Sequence, residues 1–255
     1  MSPPCCPKKS PPKKVPETDA IFEQLAQVHA LADADEQTLR LSLDAKAAVL
    51  IGNYSRGGQS RLVVKAADHD FQPEEKLSPF GIYLPQYHEL YLYFTTSKVT
   101  SDFIVDCLQH FWLTQKERFI QVRTLLLNLD NGPENHSRRT QFMQRITAFV
   151  DDFLIHVHLA YYPPYHSKYN PIERVWGVLE QHWNGSLLDS CDTVLHFAHT
   201  MRYRGHQPII QFVQQVYHTG VRLTQKAMAE LEKRFVRLST LPKWFVQIAP
   251  LSHHL

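Results

Sequence analysis

Three acidic side chains fall where a carboxylate could do chemistry. Asp130 ends the run Thr124-Leu125-Leu126-Leu127-Asn128-Leu129, nearly all apolar, which predicts a strand covered on both faces of an α/β sheet. Asp44 continues the alternation Leu39-Arg40-Leu41-Ser42-Leu43, at a position where aspartate is disfavoured in a strand interior. Glu173 lies in Tyr169-Asn170-Pro171-Ile172-Glu173-Arg174-Val175-Trp176, with Pro171 suited to the first position of a helix. Each has an ordinary explanation. Asp130-Asn131-Gly132 is a hairpin signal, Asp44 suits a turn between strands, and Asn170 with Glu173 has the spacing of a capping box. Against the hairpin, the residues from Ser137 to Phe153 carry a helical period where a second strand would be needed. The apolar stripe Ile172, Val175, Leu179 and Trp183 leaves Glu173 to one side, which periodicity alone does not resolve between cap and site.

Taken together, three carboxylates from two strands and one helix suit a two-metal phosphoryl-transfer centre. Two carboxylates about 4 Å apart repel by about 4 kcal/mol at an effective dielectric of about 20, so such a cluster needs bound cations or raised pKa values. Magnesium takes oxygen ligands and is commonly held by only a few carboxylates. Paired ions can stabilise both the attacking and the leaving oxygen.

The elements that must position these groups follow from pattern changes along the chain. Residues 1–17 begin MSPPCCPKKSPPKKVP, with six prolines, four lysines and no acid, and predict a disordered tail whose Lys8, Lys9, Lys13 and Lys14 could brush DNA phosphates. Residues 18–37 predict a leading helix through Ile21, Leu25, Val28 and Leu31. Residues 38–185 predict the core. Within it, 38–43 and 47–54 read as an antiparallel pair closed by the turn Ser55-Arg56-Gly57-Gly58, and 87–95 as a third strand. A helix over about 102–119, a strand at 124–129, a helix near 137–153, a strand at 155–161 and a helix from Pro171 complete it. The fold class is therefore α/β, a mixed sheet flanked by helices and compatible with a ribonuclease-H-like fold. Residues 186–255 predict a mainly helical C-terminal extension, with helices near 191–203, 207–217 and 224–237 and an alternating Trp244, Val246, Ile248 suited to an edge strand.

With 44% apolar residues the chain can bury a sizeable core, and 27 basic against 25 acidic residues leave a formal charge of +2. That balance neither demands nor excludes a polyanionic partner. Cys5, Cys6, Cys107 and Cys191 lack C-x-x-C or disulfide-framework spacing, which argues for reduced thiols and against a zinc site. No apolar run reaches the roughly 18 to 20 residues of a membrane span, so a soluble, intracellular protein is expected, with no membrane partner. Arg138 and Arg139 after the Asp130 turn, and His166 and Lys168 before Glu173, are weaker candidates for phosphate contacts and equally ordinary surface residues. His156 and His158 alternate on one strand and read as packing residues.

The stretches LSLDAKAAVLIGNYSRGG, KAADHDF, TSKVTSDFIVDC, LNLDNGPENHSRRTQF and YYPPYHSKYNPIERVWGVLEQHWNG resemble the DDE transposases of bacterial insertion sequences, of the Rhodopirellula type, and more distantly the mariner-type enzymes. Asn-Pro-Ile-Glu-x-x-Trp with an upstream Asp-Asn-Gly is the most specific part. The resemblance implies a ribonuclease-H-like catalytic domain for DNA transposition, with Asp44, Asp130 and Glu173 as catalytic and metal-binding residues for two Mg²⁺ or Mn²⁺ ions. It implies transposon-end and target DNA as partners, a homodimer or higher synaptic assembly on DNA, and a cytoplasmic, nucleoid-associated location. Such transposases carry a helical DNA-binding region ahead of the DDE domain, whereas 43 residues precede Asp44 here. The expectation is thus a catalytic domain that binds DNA weakly and with little sequence preference. A metal-dependent nuclease of the same fold and an inactive DNA-binding remnant are the alternatives.

Overall fold

A nine-stranded mixed sheet organises the computed structural model, which describes residues 15–52 and 75–251. Its elements, in chain order, are α1 (Thr18–Ala34), β1 (Thr38–Ala45), β2 (Val49–Ile51), β3 (Glu75–Leu84), β4 (Glu89–Thr95), α2 (Ser101–Gln115), β5 (Thr124–Leu129), α3 (Thr140–Phe153), β6 (His156–Tyr161), α4 (Glu173–His182), α5 (Cys191–Thr200), β7 (Ile209–Phe212), α6 (Gln225–Glu232), β8 (Phe235–Arg237) and β9 (Phe245–Ile248). The strand order is β7-β4-β3-β1-β5-β6-β9-β8, with β2 on β3. β1, β3 and β4 are antiparallel neighbours, while β1, β5 and β6 run parallel through the crossover helices α2 and α3. This is the mixed, helix-flanked sheet expected of a ribonuclease-H-like fold. The tail lysines, the turn Ser55-Arg56-Gly57-Gly58 and the KAADHDF stretch lie outside the described residues.

Strand alternation divides β1 between two environments. Leu39, Leu41 and Leu43 enter the larger apolar cluster with residues of α1, α2 and α3. Ser42 and Asp44 instead meet α4. α4 and α5 pack Ile172, Val175, Trp176, Leu179 and Val194 into a second cluster with Tyr83, Leu92 and Phe94. β5, with Leu125 to Leu129 all buried, is the doubly covered strand its composition demands. Local signals set the helix ends: the Thr100 hydroxyl accepts the Phe103 N–H at 3.3 Å to start α2, and Leu154 ends α3 in a left-handed conformation, φ 51°.

Four expectations are corrected. β1 and β2 do not pair with each other; both pair with β3. β3 itself has no counterpart in the sequence reading because Pro79 and Gly81 interrupt its pattern, although Leu77 and Phe80 to Leu84 are buried. The helix expected over 207–217 is instead the short strand β7, because the open edge of β4 supplies backbone partners in parallel register from Tyr91↔Ile209 to Phe94↔Phe212. The helix expected over 224–237 stops at Glu232, and Phe235–Arg237 pairs with β9, the alternating strand the sequence does foresee. Of the two histidines read as packing residues, His156 is exposed and His158 only half-buried, its pKa lowered by burial and by His156. Among the described residues no helix is long and apolar enough to cross a membrane.

Candidate active site

Asp44 lies inside β1, opposite Gly81 of β3, and is only 6% exposed. Burial pushes its carboxyl pKa up to about 8, and the negative charges of Asp130 and Glu173 push in the same direction. The Trp176 indole N–H, donated to Asp44 Oδ2 at 2.7 Å, pulls the other way. Gly81 makes this contact sterically feasible. A Cβ there would lie 2.5 Å from Ile172 Cδ1 and 2.9 Å from the tip of the Trp176 ring, so any larger residue pushes α4 off the strand. Gly81→Ala is expected to cost about 1–3 kcal/mol, the usual range for overpacking. Thermal unfolding reads the loss and Trp fluorescence reads the displaced indole; unchanged values of both would contradict the packing argument.

Glu173 opens α4 without acting as its cap. In a capping box the glutamate would accept the backbone N–H of Asn170. That N–H is instead donated to the Ser167 carbonyl at 2.6 Å. The Asn170 side chain is also committed elsewhere: its amide donates to the Leu43 carbonyl at 3.0 Å and its oxygen accepts the Ser42 hydroxyl. The Ser42 oxygen in turn accepts the Ile172 N–H at 3.0 Å. Both Ser42 and Asn170 are fully buried. This clip fixes the start of α4 to the strand two residues from Asp44, and the capping box, one of the two readings the sequence leaves open for Glu173, does not form. Its members were not foreseen as site-building residues, because only the register between β1 and α4 brings Ser42 to Asn170. Asn170→Ala strands buried partners, so a loss of about 2–3 kcal/mol in chemical denaturation is expected, against near-wild-type stability if the clip is dispensable.

Asp130 follows β5 directly, and the chain runs on through a loop to α3, so the hairpin reading does not hold. Its Oδ1 accepts the Gly132 N–H at 3.1 Å and the Asn135 side-chain amide at 2.9 Å, an Asx turn that Asn131 completes with φ 60°. These bonds fix one oxygen of the carboxylate. Asn135 is itself held, its carbonyl accepting the Tyr161 hydroxyl at 2.8 Å, while its Oδ1 is buried without a donor.

The three expected carboxylates thus come to one end of the sheet, from β1, the end of β5 and the start of α4. Asp44 is the buried member, and the charges of Asp130 and Glu173 act on it. Among the described residues no three His, Cys, Asp or Glu side chains form a ready-made metal cage. The donor set nevertheless fits a hard divalent cation: all three groups are oxygen donors, a cation would offset the charges that raise the Asp44 pKa, and the orphaned Asn135 Oδ1 suits the water that such an ion retains. The four weaker candidates divide. Arg138 and Lys168 are exposed. Arg139 forms an ion pair with Glu134 at 3.1 Å, and His166, expected at the surface, is 5% exposed because it packs edge-on to Phe22 and bonds to the Pro164 carbonyl.

Residues 6–250 match the family described as the Rhodopirellula transposase DDE domain. The chain belongs to this family. No curated protein matches it. Among solved structures it is similar to the Mos1 transposase paired-end complex with left transposon end, at 13% identity and TM-score 0.51, covering 77% of this chain and 58% of that one. It is also similar to the Mos1 strand transfer complex, at 12% identity and TM-score 0.50, covering 77% and 57%. At these identities the likeness is one of fold. This DDE domain therefore spans somewhat more than half the length of the Mos1 chains it resembles.

Proposed function

We propose that this DDE domain catalyses metal-dependent phosphoryl transfer on DNA, cutting a transposon end and joining it to a target. What supports the reading is that β1, the end of β5 and the start of helix α4 bring three carboxylates together, close enough for the charges of Asp130 and Glu173 to act on buried Asp44. Asp44, Asp130 and Glu173 would together hold two divalent ions. Bound magnesium or manganese would supply the charge neutralisation and water activation that the reaction needs. In the first step a water oxygen bonds to phosphorus and the phosphorus–O3′ bond breaks, freeing a 3′-hydroxyl. In the second that hydroxyl attacks a target phosphodiester and displaces a target 3′-oxygen.

The chain's own residues do the positioning. The bond from Trp176 fixes the Asp44 carboxylate, the Gly132 and Asn135 bonds fix that of Asp130, and the Ser42–Asn170–Ile172 clip sets where Glu173 begins. No side chain is needed as a covalent nucleophile. Arg138 and Lys168, exposed on the loops after Asp130 and before Glu173, suit phosphate contacts. The Mos1 structures are complexes with paired transposon ends and of strand transfer; by family, DNA ends and a synaptic assembly of more than one copy are the expected partners here.

A labelled duplex with a free 3′-hydroxyl, a supercoiled target plasmid and Mg²⁺ or Mn²⁺ test the reading. Joined products are expected. Nicked circles without joining would reduce the activity to that of a nuclease, and neither product, with DNA still bound, would leave only a binding role.

A further inference from the structure

We propose that Tyr165 is a nucleobase-stacking residue for the DNA strand that crosses the carboxylates, an inference that rests on the DNA phosphoryl-transfer reading above. Both ends of its loop are tied to the catalytic strands. The Tyr162 N–H donates to the Leu129 carbonyl at 2.8 Å, next to Asp130, and Asn170 bonds to Ser42 and Leu43, next to Asp44. Whatever the loop displays therefore stands at the edge that carries the triad.

What it displays is a tyrosine in a costly conformation. His166 N–H donates to the Pro163 carbonyl at 3.1 Å, closing a four-residue turn with Pro164 second and Tyr165 third. Proline cannot adopt a positive φ, and Tyr165 has φ 65°, so the turn is of type II, whose third position favours glycine or asparagine. A bulky aromatic there is strained, and the strain is sustained by the frame around it. His166 is buried, stacks at 19° on Tyr169 and bonds to the Pro164 carbonyl, while Phe22 of α1 packs edge-on to both rings.

The frame is aromatic, but Tyr165 takes no part in it. Tyr165 is 68% exposed, and Lys168, three residues on, is exposed beside the Tyr169 ring, its ammonium 5.1 Å from the centroid. An outward aromatic with a nearby cation is the combination that holds single-stranded nucleic acid, the ring stacking on a base and the cation meeting the backbone. Packing does not account for a tyrosine where glycine would relax the turn. A stacked base at the point where strands are cut and joined does.

Tyr165→Gly removes the ring and relieves the turn; Tyr165→Phe keeps the ring. Both would be compared with the full chain by thermal unfolding and by fluorescence anisotropy on a duplex with a frayed single-stranded end carrying 2-aminopurine, in low salt without divalent ions. Tyr165→Gly is expected to melt no lower than wild type, yet to bind about five- to hundredfold more weakly, the scale of one lost base stack, and to lose quenching of the 2-aminopurine. Tyr165→Phe should retain both. Wild-type affinity and quenching in Tyr165→Gly would overturn the stacking role while leaving the phosphoryl-transfer reading intact. Equal loss in Tyr165→Phe would overturn it too, since the ring would not be what matters. A wild-type chain that neither binds nor joins DNA would overturn both readings at once.

Discussion

Glu173→Gln is expected to leave the unfolding free energy within about 1 kcal/mol of wild type and to lower metal-dependent strand joining by orders of magnitude. Stability should hold because the glutamate does not close a capping box: the Asn170 N–H already has the Ser167 carbonyl, and the start of α4 is tied down by Ser42. Glutamine keeps the length and shape of the side chain and its helix propensity. What it removes is the negative charge, one of the two that Asp44 senses and the one a divalent cation would need from α4. Paired measurements of chemical denaturation and joining on one preparation check this. A variant that melts and joins normally would return Glu173 to a structural role.

Asp44→Asn should make the metal-free chain more stable, most of all at alkaline pH. The folded pKa of Asp44, about 8, is raised from the ordinary value of 3.8, so between these values the folded state binds a proton that the unfolded state has released. Stability contributed by this group is therefore full below about pH 4 and falls as pH rises to about 8. Asparagine does not titrate, and its side-chain oxygen can still accept the Trp176 N–H. The variant's advantage should grow from pH 4 to pH 8 and then level off at a few kcal/mol, on the order of 10 °C for a chain of this size. Millimolar Mg²⁺ or Mn²⁺ should raise the melting temperature of the wild type, since a ligand that binds only the folded state stabilises it, and should leave Asp44→Asn unmoved. A variant less stable than wild type at pH 8, or equally stabilised by the ions, would contradict the assignment of Asp44.

How much of this was legible in the sequence depended on whether the signal was local. β5 and Asp130 at its end follow from a continuous apolar run, and α2 and α3 from helical periods that the structure reproduces within a few residues. The motif Asn-Pro-Ile-Glu-x-x-Trp, with its upstream Asp-Asn-Gly, pointed to the family that the comparison bears out. Registers were not legible. Ser42, Asn170, Gly81 and Trp176 build the surroundings of Asp44 through contacts between residues about 40 to 130 positions apart, for which no periodicity exists. β7 was misread for a related reason: Ile209, Ile210 and Phe212 suit a helix as well as a strand, and only the open edge of β4 decides. Tyr165 gave no signal at all, since a tyrosine after two prolines reveals nothing of its positive φ.

The claim that Asp44, Asp130 and Glu173 act together through divalent ions on DNA meets its most direct test in one joining experiment. The wild type and the single variants Asp44→Asn, Asp130→Asn and Glu173→Gln would each be given a labelled duplex with a free 3′-hydroxyl and a target plasmid at pH 8, with Mn²⁺ or with a chelator. The expected result is joining by the wild type with Mn²⁺, none with the chelator, and loss by orders of magnitude in all three folded variants; joining that persists without the ion, or that survives in any one of the variants, would contradict it.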